Sequence, residues 1–150
     1  MTRIILTVVL LLATFTALAE DELLMVRSSQ AFPETMTALQ EAIQDHGYTI
    51  SRVQRVDIGL TSMGYQTDKY RVVFFGKHEQ QKMLIRKHPE LIPYLPLNIA
   101  IFAEDQETLL VTSNPVLLAE FFPDRELEKY FYRCASDMRS ILRQVQETEE

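Results

Sequence analysis

LNIAIFAEDQETLLVT, residues 97–112, has the pattern of a β-hairpin. Leu97, Ile99 and Ile101 alternate with residues that would point to the opposite face, which is typical of a strand with one buried face. A short acidic turn follows, and residues 108–112 return as a second extended segment. The sequence therefore predicts a pair of antiparallel strands here.

The segments before this hairpin alternate between strand and helix patterns. Residues 23–28 have the period of a strand, and residues 32–43 carry apolar side chains at helical spacing. Pro33 suits the first turn of that helix, and Gly47 supplies a left-handed stop. Residues 48–56 are extended, with a change of apolar face that indicates a β-bulge.

The middle of the chain contains its longest polar stretch. Residues 57–68 hold two glycines and predict an irregular loop. Residues 70–75 form an apolar run, which predicts a central strand covered on both faces. Residues 79–87 predict a helix that ends near His88, because Pro89 disfavours helical backbone in the residue before it.

Two helices are predicted after the hairpin. Asn114 caps a short helix that begins at Pro115 and whose apolar residues predict burial on nearly all sides. Asp124 caps the last helix, which spans residues 124–147. Its apolar side chains share one face: Leu127, Tyr130, Phe131, Cys134, Met138, Ile141, Leu142 and Val145. Because this stripe is wide for one sheet to cover, we expect the helix to offer an interaction surface.

The order of these elements predicts an α+β fold. It corresponds to a small sandwich in which helices cover one face of a largely antiparallel sheet. The nearest named arrangement is a ferredoxin-like β-α-β-β-α-β-β core with two C-terminal helices. We expect residues 20–150 to form this single domain.

Several short strings resemble the bacterial domain-of-unknown-function family 302. They are Asp45-His46-Gly47-Tyr48, Asp57-Ile58-Gly59-Leu60, the strand at 70–76, the string Pro93-Tyr94-Leu95-Pro96-Leu97 and residues 111–115. The resemblance covers residues 24–122, so the last helix lies outside it. It implies a small α+β sandwich that self-associates and has no agreed activity. Lys77-His78 stands where such domains often have Asn-Pro, so a role tied to that turn is not expected here.

Composition and charge exclude several classes of protein. With 47% hydrophobic and 24% charged residues over 150 positions, the chain is typical of one globular domain. Its formal charge of −6 disfavours binding to nucleic acid, since a phosphate backbone would be repelled.

The first residues predict export. Residues 1–19 begin with Arg3, continue through an apolar run and close with Ala17-Leu18-Ala19, the pattern of a cleaved signal peptide. The run is too short to span a bilayer, so no stable membrane span is expected after cleavage. We therefore expect a periplasmic or secreted protein.

Motifs for common chemistries are missing from the sequence. It contains no Gly-x-Ser-x-Gly, no Gly-x-Gly-x-x-Gly, no phosphate loop and no His-x-His. No catalytic residue, metal site or cofactor is therefore predicted.

A basic and aromatic group around the polar stretch is the candidate ligand site. Binding residues concentrate on irregular segments, and guanidinium groups hold small anions. The candidate residues are Arg52, Arg55, Asp57, Tyr65, Lys69 and Arg71. The alternative is a solvated edge with no ligand.

Two functional hypotheses remain open from the sequence. The first is a non-catalytic module that binds a small ligand or a protein, either as a homodimer or with another exported protein. The second is a redox or metal-dependent accessory enzyme that uses Cys134 or His78. Cys134 lies on the apolar stripe of the last helix, where a buried, inert thiol is the competing interpretation.

Overall fold

The computed structural model describes residues 22–148. The strands are β1 Leu23–Ser28, β2 Thr49–Arg55, β3 Tyr70–Gly76, β4 Leu97–Glu104 and β5 Glu107–Ser113. The helices are α1 Phe32–Asp45, α2 Val56–Ser62, α3 His78–Lys87, α4 Val116–Phe121 and α5 Arg125–Glu147, with a 3-10 helix at Pro89–Tyr94. The proposed signal peptide, residues 1–19, lies outside the described residues. Within 22–148, no helix has the length and apolar character needed to cross a membrane.

The five strands form one antiparallel sheet in the order β1-β5-β4-β3-β2. The predicted hairpin at 97–112 is β4 and β5, and Asp105 in its turn adopts a positive φ of 55°. β1 and β2 run in the same direction at opposite edges, so α1 and these two strands form a split β-α-β unit around the other three. The predicted bulge in β2 is confirmed as a register shift between Ile50 and Arg52.

The helices cover one face of the sheet, which confirms the α+β sandwich. Val73, Ile99, Ile101 and Leu110 point from the strands into the core and are fully buried. α1 and α5 pack across them and against each other.

Helix α5 begins at the predicted cap. The Asp124 carboxylate accepts hydrogen bonds from the backbone N–H groups of Glu126 and Leu127 at 2.8 and 3.2 Å. These bonds hold the pKa of Asp124 below its usual value.

The apolar stripe of α5 lies wholly in the core. Tyr130 and Leu142, whose positions suggested an interaction surface, are 6% and 2% exposed. That expectation was wrong, because α1, α4 and β1 all pack against α5 in addition to the rest of the core.

Three local expectations need correction. The stretch at 57–68 is not wholly irregular, since α2 occupies Val56–Ser62. β3 is covered on one face only, and Tyr70, Val72 and Phe74 on its other face are half-buried. The short helix α4 is not buried on all sides, because Phe121 is 74% exposed.

The structure explains why glycine occupies positions 47 and 76. Gly47 has a φ of +74° two residues after the end of α1, which confirms the predicted left-handed stop. Gly76 closes β3 against the side chain of Gln81, and an added Cβ there would lie 2.2 Å from the Gln81 amide oxygen. The missing side chain at 76 therefore makes room for the Gln81 side chain of α3.

Candidate functional site

The structure brings together only part of the predicted anion site. Arg71 forms an ion pair with Asp57, and this guanidinium holds the pKa of the Asp57 carboxyl below its usual value. Lys69 and Arg71 both lie over the Phe32 ring, at 5.9 and 5.8 Å from its centroid. The Arg71 charge is thus already matched by a protein carboxylate.

The remaining predicted residues do not converge on that pair. Arg52 lies on the opposite face of the sheet and donates a hydrogen bond to Gln54. Arg55 is exposed at the end of β2, where its charge also lowers the pKa of Asp57. Tyr65 is 60% exposed. The six candidates therefore do not converge on one pocket, and among them only Asp57 and Lys69 line a common cleft.

Cys134 lies in the interior between two tyrosines. It is 2% exposed, and burial raises the pKa of its thiol to about 11. Tyr130 and Tyr48 both contact the thiol, and burial also raises the pKa of each phenol. The Tyr48 hydroxyl donates to Asp137 at 2.8 Å, which orients this buried cluster. The thiol is protonated at neutral pH.

His78 does not share this environment, since it is exposed at the first residue of α3. Lys77 lies closer to the cluster, with its Nζ 3.5 Å from the Asp137 carboxylate and 4.3 Å from the Tyr48 ring centroid. The structure therefore separates the two residues named for an enzymatic role.

An apolar pocket that the sequence did not indicate lies between the end of the 3-10 helix and α4. Its volume is about 470 Å³, within the range of small-molecule sites. The pocket is lined by Phe74, Pro93, Tyr94, Leu95, Pro96, Leu97, Asn98, Thr112, Ser113, Asn114, Pro115, Leu117, Leu118, Phe121 and Met138. The Leu95-Pro96 peptide bond in its wall is cis.

The polar groups of the pocket are few and uncharged. The Thr112 hydroxyl donates to the backbone carbonyl of Asn98 at 2.7 Å, and the Asn114 side chain accepts from the N–H of Val116 at 3.2 Å. The side chains of Asn98 and Ser113 are exposed at the rim. All lining residues lie within 22–148 and none is ionisable at neutral pH, so the pocket suits a neutral molecule.

Two short strings of the sequence form most of this pocket. Residues 93–98 and 112–115 supply ten of its lining residues, and they overlap the strings that carry the family resemblance. Their prolines and turn residues indicated fold only. The pocket exists because β4 and β5 bring these strings side by side, and no local spacing reports that pairing.

The outer face of the sheet is also apolar. The register places Met25, Val111, Ala100 and Val72 in one row across four strands. Met25 is 52% exposed, and the other three are half-buried without a covering helix layer. Arg27 borders this face, paired with Glu104 and Glu107.

The fold and the pocket define a two-layer α+β domain with one open sheet face. The chain belongs to the DUF302 family, "Domain of unknown function DUF302", whose family model matches residues 24–148. The match extends beyond the expected 24–122 and includes α5. The comparison with curated proteins finds no match.

A solved structure supports the fold. The chain is similar to the crystal structure of an uncharacterized conserved DUF302 protein from Bacillus stearothermophilus, with a TM-score of 0.75 and 15% sequence identity. The similarity covers 84% of this chain and 99% of that one. At this identity the likeness concerns the fold and not the chemistry.

Proposed function

We propose that this chain is an exported, non-catalytic module that binds a small, neutral, mainly apolar molecule in the pocket between the 3-10 helix and α4. The single observation that supports the proposal most is the pocket itself, which combines apolar walls with a few uncharged polar groups. The proposal of export rests on the signal-peptide pattern of residues 1–19, and an exported domain would act in the periplasm or outside the cell.

The alternative, a redox or metal-dependent accessory enzyme using Cys134 or His78, is less well supported by the geometry. A protonated thiol in the core is a poor nucleophile, and His78 lies on the surface. A small anionic ligand at Arg71 is also the weaker proposal, because it would have to compete with Asp57 for the guanidinium.

We expect the protein to bind the neutral fluorescent probe N-phenyl-1-naphthylamine saturably, with one probe per chain. Leu117→Trp places a larger side chain in the pocket wall and should weaken this binding at least tenfold. Fluorescence titration with excitation in the probe's absorption band measures the affinities of the unmodified chain and of Leu117→Trp.

Met83→Trp is the matched control, because Met83 is 64% exposed on α3 and outside this pocket. It should bind the probe as the unmodified chain does. The proposed pocket function is refuted if the unmodified protein shows no saturable binding of the probe. It is also refuted if Leu117→Trp binds the probe with unchanged affinity.

Self-association through the open sheet face is a second candidate function. Its apolar centre and the charged border formed by Arg27, Glu104 and Glu107 resemble the core and rim of protein interfaces. A second copy is the proposed occupant, because a symmetric dimer pairs the same patch on both subunits and an apolar patch is complementary to itself. Another exported protein seated there would be revealed by co-purification instead.

We expect the protein to be a dimer at micromolar concentration and Met25→Glu to raise its dissociation constant at least tenfold. The substitution places a carboxylate in the apolar row of the sheet, where dimerisation would bury it. Light scattering coupled to gel filtration measures the mass. Met83→Glu adds the same charge on α3 and should remain dimeric, whereas a monomeric unmodified chain would exclude this interface.

A further inference from the structure

Three side chains that can bind metal ions meet beside α5. His88 follows α3, and Asp124 and Glu126 begin α5. One possible ligand atom from each lies within 4.8 Å of the other two. The two chain segments are also joined by an ion pair between Lys87 and Glu126.

The His88 ring is arranged as metal-binding imidazoles are. Its Nδ1 lies 3.2 Å from the Glu90 carboxylate, and its Nε2 is buried without a hydrogen-bond partner among residues 22–148. When Nδ1–H donates to Glu90, Nε2 carries the free lone pair. Carboxylates commonly orient metal-bound histidines in this way. A buried ring nitrogen without a partner calls for an explanation, and a bound cation provides one.

The two carboxylates can complete such a site. One oxygen of Asp124 accepts the two N–H groups that cap α5, so this side chain is fixed in place and has a second oxygen to offer. Glu126 is exposed, and its pair with Lys87 is a surface interaction that a divalent cation can displace. Glu126 and Lys87 can therefore move while His88 and Asp124 stay.

We propose that His88, Asp124 and Glu126 bind one zinc-like divalent transition metal ion, with water completing the coordination. Imidazole with two carboxylates suits zinc better than magnesium or calcium, which prefer all-oxygen sites. Ligand bonds of about 2.0–2.2 Å require the three side chains to close in by a small amount, which the exposed Glu126 allows. His88, Asp124 and Glu126 do not line the apolar pocket, and the metal proposal does not rest on the proposed function.

The ion would also fix one wall of the pocket. The 3-10 helix that follows His88 ends at Tyr94, whose ring contacts Phe122 at 5.6 Å just before Asp124. Tyr94 lines the pocket, so a metal that joins His88 to Asp124 would tie together the two segments that meet there.

The test is titration of the untagged full chain with Zn²⁺ by calorimetry and with Co²⁺ by visible absorption. We expect one equivalent of each ion to bind, and His88→Ala and Asp124→Asn each to weaken binding at least tenfold. Asn retains a side-chain oxygen that can cap α5, so Asp124→Asn removes the charge while the helix start is kept.

His78→Ala is the matched control, because it removes an exposed imidazole ten residues away on α3 and should leave affinity unchanged. Circular dichroism confirms that each variant is folded. The proposal fails if the unmodified chain binds no stoichiometric ion, if both site variants bind as tightly as it does, or if His78→Ala loses binding to the same extent.

Discussion

Phe131→Ala is expected to lower the free energy of unfolding by about 3–5 kcal/mol. Phe131 is fully buried in the N-terminal half of the α5 stripe, and its ring contacts those of Tyr130 and Phe122 at centroid distances of 5.4 and 6.1 Å. Truncation removes a large apolar side chain and leaves a cavity that α1 and the sheet cannot fill without moving. Urea unfolding followed by circular dichroism gives the difference directly.

Tyr132→Ala is the matched control on the next position of the same helix. Tyr132 is 50% exposed, so its truncation should change the free energy of unfolding by no more than about 0.5 kcal/mol. If Tyr132→Ala proved the more damaging of the two, the assignment of the stripe to the core would be wrong. The original expectation of an interaction surface on α5 would then return.

The regular elements were predictable because their patterns are local. The hairpin at 97–112, the strand at 23–28, the stop at Gly47 and the cap at Asp124 each depend on residues a few positions apart. Period-two and 3.6-residue patterns report such neighbours in the chain. These predictions are confirmed by the structure.

The errors in the fold arose where local composition does not determine helix formation or burial. The sequence pattern did not predict helix α2, because Gly59 and the polar residues around it lower helix propensity. A short helix forms there nevertheless. The outer face of β3 carries Tyr70, Val72 and Phe74, so its composition resembles that of a strand covered on both sides. Sequence periodicity cannot tell an apolar face covered by a helix from one left open.

The sites required tertiary information. Arg71 and Asp57 are both visible as charged residues, but only the pairing of β2 with β3 shows that they neutralise each other. His88 and Asp124 belong to segments far apart in sequence, and the walls of the pocket come from both sides of the hairpin. Convergence of distant residues leaves no trace in local spacing.

The Cys134 thiol should react with a disulfide reagent at least a hundredfold more slowly in the folded protein than in urea. Its pKa is raised from 9.0 to about 11, so at pH 8 the reactive thiolate is about a hundredfold scarcer than in an unperturbed thiol. Burial to 2% exposure slows the reaction further by excluding the reagent. Dithionitrobenzoate absorbance measures both rates, and the urea sample is the internal control for a competent thiol.

The raised pKa also fixes the direction of the pH dependence. The folded state favours the protonated thiol, so this contribution to stability is complete below pH 9 and is lost as pH rises from about 9 to 11. Two pH units correspond to about 3 kcal/mol. The free energy of unfolding of Cys134→Ala should therefore fall less than that of the unmodified chain over this interval, although Tyr48 and Tyr130 contribute in the same direction.

The labelling experiment has a clear contrary result. Labelling of the folded protein within tenfold of the urea rate would contradict the buried thiol and favour the redox alternative, because only an accessible, ionised sulfur reacts that fast.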